Sequence, residues 1–281
     1  MKFRFRRKKV KHVALLPTML TLGNGVCGFA AVVATSKAFA AKDPAGFATA
    51  GWFILLAMVF DALDGKVARL TKMATNFGAQ LDSLCDAVSF GLTPAFLAFS
   101  LLTLQDTAFP RRFLWMICGL YLVCAIVRLA RFNVETSPDE SAHEYFKGLP
   151  SPAAAGVVAG SALLYTEVLT SESMRSIMLA GMPFAVLAVA LLMVSQVRYV
   201  HVVNRLFRGY RSFTRLVEML VAVLVVGALL VIHTEGALLG GFALYALSGP
   251  ILAVRARILR VPAPEVQPAP QPQPQPQEPH P

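Results

Sequence analysis

Charge is scarce in this chain. Only 15% of its 281 residues are Asp, Glu, Lys or Arg, against about 25% in ordinary soluble domains. With 56% hydrophobic residues and a mean hydropathy of +0.60, that scarcity excludes a water-soluble globule and a disordered or fibrous chain. Cysteine is sparse too. Cys27, Cys85, Cys118 and Cys124 all fall in apolar runs, and none belongs to a CxxC pair. A disulfide framework and a zinc site are thereby excluded, which leaves small packing residues. The five histidines, His12, His143, His201, His233 and His280, are scattered and offer no histidine-based metal site or nucleophile pair. No Gly-Lys-Ser/Thr phosphate loop occurs. Aspartate numbers only seven, so where it stands is informative.

What the chain has is long apolar runs. About 20 helical residues cross about 30 Å of hydrocarbon. Runs near 14–36, 46–68, 80–104, 112–132, 151–170, 177–196, 213–233 and 236–255 predict about eight transmembrane helices. The fold class expected is an all-α polytopic integral membrane bundle, in which neighbouring helices tolerate internal Gly and Pro. Lys and Arg set the sidedness. With a cytoplasmic N-terminus, 21 of the 26 fall on inside segments, and only Lys37, Lys42, Arg111, Arg112 and Arg175 fall outside. Both termini are then expected in the cytoplasm. The net charge of +10 reflects topology and anionic headgroups, at about 1 kcal/mol per basic residue; no nucleic-acid partner is expected. The apolar stretch Val13 to Ala34 exceeds the roughly 7–15 residues of a cleaved signal, although Ala38-Phe39-Ala40 has the form of a cleavage site. Residues 261–281 hold nine of the 18 prolines in a Pro-Gln alternation. Such a segment lacks the apolar mass for a core and reads as an extended, disordered tail. The expected division is a basic cytoplasmic segment 1–12, a membrane-embedded domain 13–260 and the tail 261–281.

Four of the seven aspartates lie between Asp61 and Asp86. Asp61 and Asp64 (i, i+3) share a face at the cytoplasmic end of the second span. Asp82 and Asp86 (i, i+4) share a face at the start of the third. Ala68, two turns from Asp61, leaves room on nearly the same face. A short connection through Gly78 makes the two helices antiparallel neighbours, so the four carboxylates converge near the cytoplasmic interface. Each costs roughly 2.5–3.5 kcal/mol within a membrane helix, and intramembrane acids mark function by default. At about 4 Å and an effective dielectric of about 20, each like-charge pair costs about 4 kcal/mol more. Lys66 and Arg69 are at hand, but a divalent cation neutralises the cluster better. Oxygen-only ligands suit Mg²⁺, Mn²⁺ or Ca²⁺ rather than zinc. Two such ions about 3.5–4 Å apart would clamp a phosphoryl group for in-line displacement. The spacing does not match an EF-hand. A transporter's ion or proton site, or a structural ion-pair cluster, are the alternatives.

The stretch reads Asp61-Ala-Leu-Asp64-Gly65-Lys-Val-Ala68-Arg69, then eight residues, Gly78, three residues, Asp82, three residues, Asp86. It resembles the signature of the CDP-alcohol phosphatidyltransferases, D-x2-D-G-x2-A-R-x8-G-x3-D-x3-D, at every fixed position, and the resemblance covers at least the first six spans. It implies that an alcohol attacks a CDP-linked lipid and CMP leaves. It implies Asp61, Asp64 and Asp82 as metal ligands, with Asp86 helping to hold a second metal and acting as the general base. Gly65, Ala68 and Gly78 would admit the nucleotide, and Arg69 and Thr75 would contact the donor. Two Mg²⁺ or Mn²⁺ ions and a homodimer are implied as well.

Three other stretches resemble the phosphatidylserine synthase branch. They are Leu16-Pro17-Thr18-Met19-Leu20-Thr21-Leu22-Gly23-Asn24 with Cys27-Gly28-Phe29 after it, Arg128-Leu129-Ala130-Arg131-Phe132-Asn133, and Gly148-Leu149-Pro150-Ser151-Pro152. Phosphatidylglycerophosphate synthases usually carry Arg where Asn24 stands, which argues against a glycerol phosphate acceptor. Thr18 departs from the usual Asn of both branches. The branch implies CDP-diacylglycerol and L-serine as substrates; inositol phosphate, glycerol phosphate and choline are the alternative acceptors. Arg128 or Arg131 would bind the serine carboxylate or a donor phosphate through its planar fork, though arginines ending a span also snorkel to the interface. Asn24 is either a substrate contact or a bond to a neighbouring helix. Pro150-Ser151-Pro152 suits a helix start, and Glu218 in the seventh span reads as structural.

Overall fold

Residues 15–41 and 46–70 are apolar almost throughout, and a chain without water around it must satisfy its backbone internally as helix. The computed structural model, which describes residues 15–70, 75–105, 107–135, 145–200 and 234–258, has them as an antiparallel hairpin of α1 (Leu15–Ala41) and α2 (Gly46–Leu70). Asp43 closes the turn, its Oδ1 accepting from the Ala45 N–H at 3.0 Å. α3 (Asn76–Asp86) continues through a π-helical segment (Ala87–Leu92) into α4 (Thr93–Leu104). α5 (Arg111–Glu135) follows. Then come β1 (Tyr145–Lys147), α6 (Ser151–Leu163) with a π-helical end (Leu164–Val168), α7 (Glu172–Val194), β2 (Arg198–Val200) and α8 (Thr234–Ile258). β1 and β2 pair antiparallel, with Phe146 opposite Tyr199.

The bundle is helical, as its hydropathy requires; the two three-residue strands are an addition the apolar runs did not signal. Five described helical stretches are long and apolar enough to cross a membrane: Leu16–Ala41, Gly46–Gly65, Phe77–Leu104, Arg111–Val134 and Glu172–Val194. α6 and α8 coincide with two more of the expected runs. The run 213–233 with Glu218, the segment 1–12 and the tail 261–281 lie outside the described residues. Large apolar side chains such as Met19, Phe29, Trp115 and Ile177 face outward, where lipid rather than water would meet them.

Pro94 explains the π-helical segment. It has no N–H for the carbonyl of Phe90, and a wider turn relaxes the helix around it. The freed carbonyl accepts instead from the hydroxyl of Tyr121 on α5, at 3.1 Å. The same segment is fastened to α1. Ser89 Oγ donates to the Asn24 carbonyl at 3.0 Å and Thr93 Oγ1 to the Gly28 carbonyl at 3.1 Å. Gly28 permits that approach, since a Cβ there would overlap Ser89 Oγ and lie 2.9 Å from Ser89 Cα. Because backbone cannot yield as a side chain tip can, Gly28→Val is expected to cost about 1–3 kcal/mol. It should lower the thermal midpoint in detergent by several degrees; an unchanged midpoint would refute the tight packing.

α6 is the central helix, buried at every residue from Ala153 to Leu163. Small side chains let its neighbours come close. A Cβ on Gly160 would lie 3.0 Å from Leu239 Cα of α8, and one on Gly51 of α2 would lie 3.3 Å from the Ala159 carbonyl oxygen.

Candidate active site

The last turns of α2 and the middle of α3 bring acids together. Asp61, Asp64 and Asp82 each present one carboxylate oxygen, and these oxygens lie within 4.8 Å of one another. Asp64 is 5% exposed, and the Thr21 hydroxyl of α1 lies beside it. Asp64 Oδ2 and Asp82 Oδ1 are buried without a hydrogen-bond partner. Orphaned carboxylate oxygens in a helix bundle are costly unless something cationic satisfies them. Oxygen donors alone, at this separation, fit a hard divalent ion.

Asp86 stands next to this trio, in electrostatic contact with Asp61 and Asp82. It is buried, and its Oδ1 accepts from Asn24 Nδ2 of α1 at 2.9 Å. Asn24 is itself wholly buried, and its Oδ1 has no partner. The four acids expected to converge are thus three carboxylates in one close group and a fourth held by an amide. Asn24 reaches Asp86 because Thr21, Asn24 and Gly28 follow one face of α1, the face that packs on Asp86, Ser89 and Thr93.

The other residues of the signature are less crowded. A Cβ on Gly65 would meet nothing within 4 Å, so open space adjoins Asp64. Ala68 is partly buried one turn on; the side chain of Arg69 lies outside the described residues. Thr75 caps α3, its Oγ1 accepting from the Gly78 N–H at 3.0 Å, a role the sequence reading did not give it. A Cβ on Gly78 would stand 3.2 Å from that oxygen.

Arg128 of α5 approaches from across the site. It is in electrostatic contact with Asp86 and Asp61. Its Nη1 donates to Ser151 Oγ at 2.6 Å, and its guanidinium lies 5.9 Å from the Phe132 ring centroid. This is not a snorkelling side chain. Arg131, three residues on, is partly buried. Ser151 is placed by the turn before it. Gly148 has φ +84°, and its N–H donates to the Val197 carbonyl at 2.8 Å. A Cβ at Gly148 would collide with the Met193 carbonyl oxygen, so the turn requires glycine. Sequence reasoning noticed Pro150-Ser151-Pro152 as part of a stretch resembling the phosphatidylserine synthases and as a helix start, and gave Ser151 no role of its own. It missed Ser151 as the partner of Arg128, and Thr21, Ser89 and Thr93 around the Asn24–Asp86 pair. The signal available was polar residues recurring on one helix face, Thr21 and Asn24 on α1 and Asp86, Ser89 and Thr93 on the stretch it packs against.

A membrane-type helical bundle with an oxygen-only acidic trio, a buried Asp–Asn pair and an inward-facing arginine has the donor set of a site for a hard divalent ion. The comparisons agree. The family profile described as CDP-alcohol phosphatidyltransferase matches residues 14–196, well over half of the sequence, and the chain belongs to that family. Over 156 residues it is 40% identical to the CDP-diacylglycerol–serine O-phosphatidyltransferase of Saccharomyces cerevisiae, a match covering 54% of this chain and 53% of that protein. The enzyme of the same name from Mycobacterium bovis is 34% identical over 154 residues, covering 53% of this chain and 49% of its own. The chain therefore spans about half the length of these two relatives. The archaetidylserine synthase of Methanothermobacter thermautotrophicus is 32% identical over 197 residues, covering 68% of this chain and 72% of that protein.

Proposed function

We propose that the protein transfers the phosphatidyl group of CDP-diacylglycerol to the hydroxyl of L-serine, giving phosphatidylserine and CMP. The observation that carries this reading is that Asp86 is in electrostatic contact with both the acidic trio and Arg128. A base, a cation site and a carboxylate-binding guanidinium then share one site. The names of the relatives support serine as the acceptor.

Asp61, Asp64 and Asp82 would hold Mg²⁺ or Mn²⁺, with Asp86 contributing to a second ion. Bound there, the ions would neutralise the donor's phosphates as charge develops on them. The remaining roles fall to the chain itself. Asn24 engages Asp86 Oδ1, which leaves Oδ2 to take the proton of the serine hydroxyl. The serine oxygen attacks the lipid-side phosphorus, its bond to the bridging oxygen breaks, and CMP departs. Arg128, steadied by Ser151, presents its fork to the serine carboxylate. Gly65, Ala68 and Gly78 would leave space for the nucleotide, Arg69 and Thr75 would contact the donor, and Arg131 would bind a donor phosphate. The N-terminus and the cleft face the cytoplasm, where serine and CMP exchange, while the acyl chains enter between helices. The protein works as a homodimer.

The test uses the purified full chain in lipid nanodiscs with CDP-diacylglycerol, Mg²⁺ or Mn²⁺, and labelled serine, inositol phosphate, glycerol phosphate or choline in separate reactions. Serine-dependent CMP release with labelled phosphatidylserine is the expected result. Release with glycerol phosphate but not serine overturns the acceptor; no release with any alcohol overturns the chemistry.

A further inference from the structure

The last described helix, α8, reaches the Arg128 side of the site. α8 lies beyond the 14–196 match to the family profile, yet it is docked tightly on both sides. Along α6 it runs antiparallel, with Leu239 against Gly160 and Phe242 against Gly156. Three residues further on, Tyr245 comes level with the start of α6, where Ser151 holds Arg128. On the other side Tyr199 of β2 fixes the same turn. Its hydroxyl donates to the Ala246 carbonyl at 2.8 Å, and its ring centroid is 5.7 Å from that of Tyr245. Gly249 admits the Tyr199 ring, since a Cβ there would lie 2.5 Å from its Cζ.

Tyr245 is therefore held by its ring, not by its hydroxyl. The phenol has no hydrogen-bond partner among the described residues, and it stands in electrostatic contact with the Arg128 guanidinium. Arg128 spends one Nη1 hydrogen bond on Ser151 and keeps other donors. A guanidinium and a phenol O–H in electrostatic contact, at the level where α6 begins, together offer donors that match the oxygens of a carboxylate.

We propose that Tyr245 is a specificity-determining residue for the acceptor. Its hydroxyl donates to the carboxylate that Arg128 binds, so that an alcohol without a carboxylate leaves both donors unpaired. The inference rests on the phosphatidyl transfer proposed above. Sites built to hydrogen-bond a substrate group reject analogues that lack it far more strongly than apolar pockets do.

Tyr245→Phe keeps the ring packed on Tyr199 and removes only the hydroxyl. The expected result is a rise of about tenfold in the KM for L-serine, with kcat and the KM for CDP-diacylglycerol within about twofold of the parent. The preference for serine over serinol, which has the alcohol and amine but no carboxylate, should fall by about the same factor. An unchanged serine KM and serine-to-serinol ratio would overturn the assignment, and so would equal losses for both substrates, the mark of a structural role. The unsubstituted protein adds a test that needs no variant: serinol used as well as serine overturns the carboxylate site. If the unsubstituted protein releases no CMP with serine, the underlying reaction fails instead, so the two failures are distinct.

Discussion

Asp82→Asn is expected to abolish CMP release, with kcat reduced at least about a thousandfold, while making the metal-free protein more stable. Both effects follow from the trio. Asp61, Asp64 and Asp82 bring three like charges within 4.8 Å, and two of their buried oxygens have no partner. A pair of like charges at such a separation costs about 4 kcal/mol at an effective dielectric of about 20. Without metal that repulsion strains the α2–α3 junction, and neutralising one acid relieves it. In the proposed site the same charge would hold the ion. Losing several kcal/mol of charge stabilisation corresponds to about three powers of ten in rate. In a thermal melt in detergent, Mg²⁺ or Mn²⁺ should raise the midpoint of the unsubstituted protein by several degrees and leave Asp82→Asn nearly unmoved. Chelator should erase the first shift. A variant that retained the full metal-dependent shift would remove Asp82 from the ligand set whatever its activity.

Asp86→Asn is expected to be nearly as inactive, for a different reason. The replacing amide oxygen still accepts from Asn24 Nδ2, the bond that Asp86 Oδ1 now makes at 2.9 Å, so the α1–α3 contact survives. What is lost is the basic oxygen. Positioned general bases contribute about 10²–10⁴-fold, and kcat should fall within that range. Because Asp86 stands beside the close trio rather than in it, much of the metal-dependent rise in thermal midpoint should persist. That pattern separates the two acids: one variant inactive and blind to metal, the other inactive and still stabilised. Turnover within about tenfold of the parent would refute Asp86 as the base.

The sites of both variants were legible from spacing, and the family resemblance implied their division of labour; the pairing of Asp86 with Asn24 was legible from neither. Asp61, Asp64, Asp82 and Asp86 stand out because a chain with 16 acids in 281 residues has little reason to place four in two membrane helices. One helix was nearly as clear: the run read at 46–68 is α2, Gly46–Leu70. Other boundaries were less so. α1 continues to Ala41, past Ser36 and Lys37, because those polar side chains are exposed and need no break in the helix. α3 begins at Asn76, four residues before its apolar run, because Thr75 caps it.

By itself the sequence determined the helical class, the placement of the apolar rods and the acidic signature. All of these depend on hydropathy and on the 3.6-residue repeat, which are local properties. The tertiary structure decided the rest. Asn24 and Asp86 are 62 residues apart, and Arg128 and Ser151 are 23 apart. Whether such pairs meet depends on how each helix is rotated and slid against its neighbour. In this bundle that is governed by where glycine removes a side chain: Gly28 under Ser89, Gly156 and Gly160 under α8, Gly249 under Tyr199. Close packing at those few points, against backbone at Gly28 and Gly160 and against aromatic rings at Gly156 and Gly249, sets the register in which Asn24 meets Asp86 and Tyr245 comes level with the start of α6.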